Sequence, residues 1–176
     1  MTQASRRGLA LALFGALVLT PDALLLRLSD MSGMQMLGWR GLGMSALFLM
    51  AWTVTARTRR ADLAALLTLP GLTVIACQYF NAMLFPLGIA SAPVAPVLLG
   101  VATVPVFSAL LSRLLYREPT SRTTWMTIAV VLAGLALAIS DKGEAALDTS
   151  AVIGAAFGLG VAFSLAMNFV TLRFYP

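Results

Sequence analysis

Two charged residues sit inside runs that are otherwise apolar. Asp22 follows Pro21 within the run Gly8 to Leu28, and Arg40 follows Trp39 within the run Met34 to Ala56. Counted at ~1.5 Å per residue, each lies ~9 Å in from the end where the two runs join. Ionisable groups at membrane depth pair with one another or face a cavity. Two readings are therefore open for Asp22 and Arg40. They form a structural ion pair that locks two helices, or a pair that binds a solute or couples a proton. Pro21 lacks a backbone N–H, so the helix breaks beside Asp22 and exposes carbonyls there. Further polar groups lie on later runs: Gln78 and Asn81 on the third, Asn168 on the last. Amide side chains either glue membrane helices together or line a cavity. The cavity reading gathers Gln78, Asn81 and Trp39, with Asn168 as a further candidate.

Other chemistry is excluded by what the chain lacks. It has no histidine, which removes the usual zinc ligand and general base, and with them any Ser-His-Asp or Cys-His mechanism. Its single cysteine, Cys77, cannot form an internal disulfide or a thiolate metal site. It has no phosphate-binding glycine motif, so direct nucleotide drive is unsupported. The sequence predicts no enzyme, no cofactor and no metal.

These residues must be positioned by membrane helices. The chain is 60% hydrophobic and 11% charged, with mean hydropathy +0.91, whereas soluble domains are ~25% charged. The expected fold is an all-α polytopic membrane protein. Six apolar runs predict six transmembrane helices: 8–28, 34–56, 63–88, 93–116, 121–140 and 150–174. Each is close to the ~20 residues a span needs. The basic residues cluster on alternate loops. Arg6 and Arg7 precede the first run. Arg57, Arg59 and Arg60 follow the second. Arg113, Arg117 and Arg122 surround the junction of the fourth and fifth, and Arg173 ends the sixth. The opposite loops hold Arg27 with Asp30, no charge, and Lys142 among Asp141, Glu144 and Asp148. The positive-inside rule then predicts a cytoplasmic N-terminus in the plasma (inner) membrane. The net charge of +5 follows from this topology. It comes with no basic patch interleaved with aromatics, so no nucleic-acid partner is expected. Ser5-Arg6-Arg7 before an apolar stretch resembles a signal peptide, but the run resumes after Pro21 without a small-residue cleavage site.

The fourth run carries three prolines. Pro93 and Pro96 fall where a helix start tolerates them, while Pro105 predicts an interior kink. Pro21 and Pro105 are the candidate hinges. Small residues predict close helix crossings at Gly154 and Gly158, at Gly38, Gly41 and Gly43, and at Gly134 and Ala138. One internal comparison bears on architecture. Gly8–Leu28 aligns with Gly154–Phe174 so that Asp22 meets Asn168 and Arg27 meets Arg173. The two segments run in opposite directions through the membrane, as inverted-repeat transporters require.

The Trp39-Arg40 pair, the stretch LGIASAPVAPVLLGVATVPVFSALLSRLL, and Glu118 followed by a helix containing Gly134 resemble the EamA-type branch of the drug/metabolite transporter superfamily. The resemblance covers the first five helices and the entry into a second repeat. It implies two inverted five-helix repeats, a central cavity walled by the third and fourth helices with Pro105 in the wall, and outward movement of small metabolites such as amino acids or toxic compounds. It equates Arg40 with the family's second-helix arginine and Glu118 with its glutamate before the fifth helix, the latter in a structural role. Arg117 stands where glycine is usual, and Ile128 stands where helix 5 often has one. Residues 1–146 then form the first repeat, and 147–176 the first helix of an incomplete second. An unpaired sixth helix has no evident seat in a five-helix unit. The expected partners are therefore the lipid bilayer, a small-molecule substrate, and either the missing repeat or a second copy. The competing class is a membrane scaffold without transport. Substrate identity, direction and coupling ion are not legible in these residues.

Overall fold

The computed structural model describes residues 3–56, 58–118, 121–140 and 149–175, without the side chains of 3–6, 127, 131 and 134–140. Arg57 and the acidic loop at Asp141, Lys142, Glu144 and Asp148 lie outside the described residues, as do the side chains at Gly134 and Ala138. The described chain is all-helical: α1 (Gln3–Leu19), α2 (Asp22–Leu28), α3 (Gly33–Thr55), α4 (Arg59–Leu66), α5 (Leu69–Ser91), α6 (Val94–Val101), α7 (Val104–Tyr116), α8 (Arg122–Ser140) and α9 (Thr149–Phe174). Among the described residues, four stretches are long and apolar enough to cross a membrane: Arg7–Leu28, Leu69–Ser91, Val94–Tyr116 and Thr149–Phe174. The first comprises α1 with α2, and the third α6 with α7. Helix α3 has spanning length, 23 residues, but carries Gln35 and Arg40.

Both candidate hinges are breaks. At the first, the amide and hydroxyl of Thr20 both bond back to the carbonyl of Ala16, at 3.0 and 2.8 Å. Pro21 offers no N–H to the carbonyl of Leu17, and helical bonding resumes with Leu25 donating to Pro21 at 2.8 Å. At the second, the amide and hydroxyl of Thr103 both return to the carbonyl of Gly100, at 3.1 and 2.6 Å. This closes α6 early and lets Pro105 occupy the first turn of α7, where its missing N–H costs nothing. The fourth run is thus two segments rather than one kinked helix.

The third run also differs from expectation. It starts at Leu69, not near residue 63, because Pro70 cannot continue a helix backward. The Thr68 hydroxyl instead caps the amide of Gly71 at 3.3 Å. The residues before it form the separate short helix α4. That helix is anchored by the Trp52 indole N–H, which donates to Asp62 at 3.1 Å, and by Arg59 over the Trp52 ring at 5.8 Å.

Helix α9 is the packing centre, contrary to the expectation that it has no seat. It lies in a groove formed by α5, α6 and α7 and is buried at intervals from Gly154 to Thr171. Its glycines make this possible. A Cβ on Gly100 of α6 would stand 2.6 Å from the backbone carbonyl carbon of Gly158, and one on Gly158 would overlap the Val97 carbonyl oxygen. Backbone meets backbone at this crossing, as small-residue motifs permit. The glycines of α3 behave differently: around Gly38, Gly41 and Gly43 there is open space. Helix α1 is peripheral too. Only 6% of the apolar window of its span is buried, against 33% for α9.

Candidate functional site

The break at Thr20–Pro21 leaves α2 as a half-helix whose first residue is Asp22. Its carboxylate therefore sits at a helix N-terminus, where free amides and the macrodipole favour negative charge. Arg40, on the neighbouring α3, closes the pair. Its Nη1 donates to both carboxylate oxygens of Asp22 at 2.8 Å. The two side chains are 30% and 21% exposed. The guanidinium also stands 5.7 Å from the centroid of the Phe85 ring on α5, which adds a cation–π contact from a third element. The pairing inferred from equal depth is therefore present.

A second tie on α2 was not expected. Arg27 Nη1 donates to the carbonyl oxygen of Ile89 at 3.2 Å. In an unbroken helix that carbonyl would accept from residue 93, which is proline and has no N–H. Ile89 is fully buried, so an unpaired carbonyl there would be costly. The sequence held the signal: a proline four positions after Ile89, and an arginine at the matching end of the first span. The short α2 is thus fixed to α3 through Asp22 and to α5 through Arg27.

The amide residues form a separate group. Asn168 Nδ2 on α9 donates to Gln78 Oε1 on α5 at 3.0 Å. Asn168 is buried, and its Oδ1 is an acceptor left unpaired among the described residues. Asn81 lies one turn from Gln78 on the same helix and is half-buried. Gln78, Asn81 and Phe85 share one side of α5 by spacing, so this helix links the amide group to the Arg40 group. Trp39 is not brought in. It is 69% exposed, because its neighbour Arg40 takes the inward position and the next residue lies ~100° around the helix. Cys77 is half-buried and free.

Pro105 lies elsewhere. It lines a cleft of about 420 Å³ at the end of the bundle formed by α7, the start of α8 and the end of α9. Glu118 and Arg173 face this cleft and pair at 2.6 Å. Beside them the Tyr116 ring stacks on Phe174 at 3.7 Å. Pro105 is therefore in the wall of a cleft, but not of one shared with Gln78 and Asn168.

The described residues offer paired charges at a broken helix and one buried, unpaired amide oxygen. The model for the EamA-like transporter family matches residues 6–140. The chain belongs to the EamA-like transporter family. No curated protein and no solved structure matches it. As an EamA-like protein it is a multi-pass membrane transporter of the drug/metabolite type and not an enzyme.

Arg117 stands out in the backbone. This residue ends α7 with φ 54°, in the left-handed region that favours glycine, and its amide bonds to the carbonyl of Ser112. A glycine would adopt this backbone without strain. Here arginine bears the strain.

Proposed function

We propose that this EamA-like protein is a secondary transporter that exports small metabolites, such as amino acids or toxic compounds, by alternating access. In this reading Asp22 and Arg40 act as the exchangeable charged pair, Gln78, Asn81 and Asn168 line the path, and Pro21 and Pro105 are hinges. The single observation that carries the reading is the Asp22–Arg40 ion pair at the N-terminus of a broken helix. Transporters use discontinuous helices in this way to present half-helix ends to charged solutes and coupling ions. A pair that served only as a lock would gain nothing from the break.

The proposal extends to architecture. Residues 1–146 constitute one repeat of five spans, and 147–176 the first span of an inverted second repeat. The sixth span α9 is seated on α5, α6 and α7 and matches α1 with α2 in its Asp22/Asn168 and Arg27/Arg173 correspondences. The open faces of α1 and α3 are then reserved for the second repeat or a second copy. The N-terminus is cytoplasmic and the membrane is the plasma membrane, following the arginine bias.

The test is a metabolite comparison. Cells producing the full chain are compared with cells producing Asp22→Asn at matched membrane levels, and small molecules in the medium are measured by mass spectrometry. At least one metabolite should be raised by the wild type and not by the variant. Identical media would overturn the reading.

A further inference from the structure

The cleft beside Pro105 is unused by the proposed path, and its lining is unusual for this molecule. Most helical hydroxyls are taken up by the backbone. Those of Thr20, Thr55, Thr73, Ser91, Ser164 and Thr171 each bond a carbonyl one turn back. Ser108 and Ser112 do not. They stand one turn apart on α7, both facing the cleft, and neither hydroxyl has a hydrogen-bond partner among the described residues. Ser112 is only 9% exposed. Having no protein partner and opening on the cleft, these hydroxyls are free to donate to or accept from whatever occupies it. Across from these serines, Ser121 and Thr124 at the start of α8 share a hydroxyl–hydroxyl bond of 2.9 Å. At the rim, Glu118 and Arg173 present one carboxylate and one guanidinium, 36% and 62% exposed. An exposed pair of this kind exchanges partners at little cost.

The geometry points to a binding site here for a small polar solute that carries no net charge, a zwitterion included. The volume of about 420 Å³ falls within the ~300–1,000 Å³ usual for small-molecule sites. Four hydroxyls supply donors and acceptors to a polar skeleton. The rim charges cancel, so a net anion or cation would find one partner and one repeller. Arg117 and Arg122 flank the rim in sequence but do not line the cleft. The inference is independent of whether the Asp22 group transports, because it concerns binding alone.

Four related probes distinguish the outcomes: serine, its methyl ester as the cation, N-acetylserine as the anion, and erythritol as an uncharged polyol. Each is titrated into the purified full chain, and the thermal midpoint is followed. Serine and erythritol should raise it saturably, and the two charged forms should bind at least about fivefold more weakly. The double variant Ser108→Ala with Ser112→Ala should weaken serine binding by about fivefold or more, the scale of one lost hydrogen bond. Ser164→Ala, whose hydroxyl is already bonded to Gly160, should not. Equal binding of the charged probes, unchanged affinity in the double variant, or no saturable shift with any probe would overturn the site and leave a cleft filled by water alone. None of these results would bear on export through the Asp22 group.

Discussion

Two ion pairs hold down the same kind of element at opposite ends of the bundle. Asp22–Arg40 fixes α2, the half-helix beyond the Thr20–Pro21 break. Glu118–Arg173 fixes the end of α7, the half-helix beyond the Thr103–Pro105 break. Their settings differ. The first is bidentate, flanked by a phenylalanine ring and half-buried on both sides. The second is a short contact at the rim, with Arg173 62% exposed. The first pair opens only where a solute or coupling ion replaces a partner, because both side chains are largely withdrawn from water. The second yields readily to solvent or to a competing ligand. Depth, not distance, separates a pair that exchanges only with a bound solute from one that opens to solvent.

The largest effect is expected where α9 is seated, because only the second pair depends on that seat. Gly158→Leu would drive a side chain into the Val97 carbonyl and cost about 3 kcal/mol, the upper end for overpacking. Gly41→Leu, facing open space, should stay within about 0.5 kcal/mol. Thermal unfolding in detergent compares them. Next comes the first pair. Arg40→Gln leaves Asp22 unpaired and should cost about 2 kcal/mol. That is below the ~3–5 kcal/mol of fully buried pairs, because water reaches part of it. Glu118→Gln, by contrast, should cost no more than ~1 kcal/mol, and its effect should fade as salt rises. Equal costs for Arg40→Gln and Glu118→Gln would break the comparison. The smallest change should be a gain. Arg117→Gly relieves the left-handed backbone and should stabilise by about 0.5 kcal/mol, once glycine's extra unfolded-state freedom is subtracted. A loss of stability there would show that the arginine side chain matters more than its backbone.

The sequence made the first pair legible because helix rise converts residue number into depth, and opposite charges at one depth on consecutive helices have few other partners. The breaks were legible from Pro21 and Pro105, although Pro105 proved to start a helix rather than kink one. Lateral position was not legible. In a membrane, both lipid and protein neighbours favour apolar side chains, so the uniform hydropathy of α9 could not reveal that it is the centre, nor that of α1 that it is the rim. The same blindness placed Trp39 in a cavity beside Arg40 when adjacent residues point apart. It also treated the glycines of α3 and α9 alike, though one set faces open space and the other a backbone crossing. The cleft escaped notice because Ser108 and Ser112 are ordinary residues for a helix, and only the packing of α7, α8 and α9 around them distinguishes them.

The central claim is that Asp22 and Arg40 act as a pair in transport, and charge exchange tests it most directly. Export of the metabolite found in the medium comparison is measured for Asp22→Arg, for Arg40→Asp and for the two together, at matched membrane levels. Each single reversal should abolish export, and the double reversal should restore a substantial part of it. A folded double variant as inactive as the singles, or a single reversal that exports like the wild type, would contradict the account.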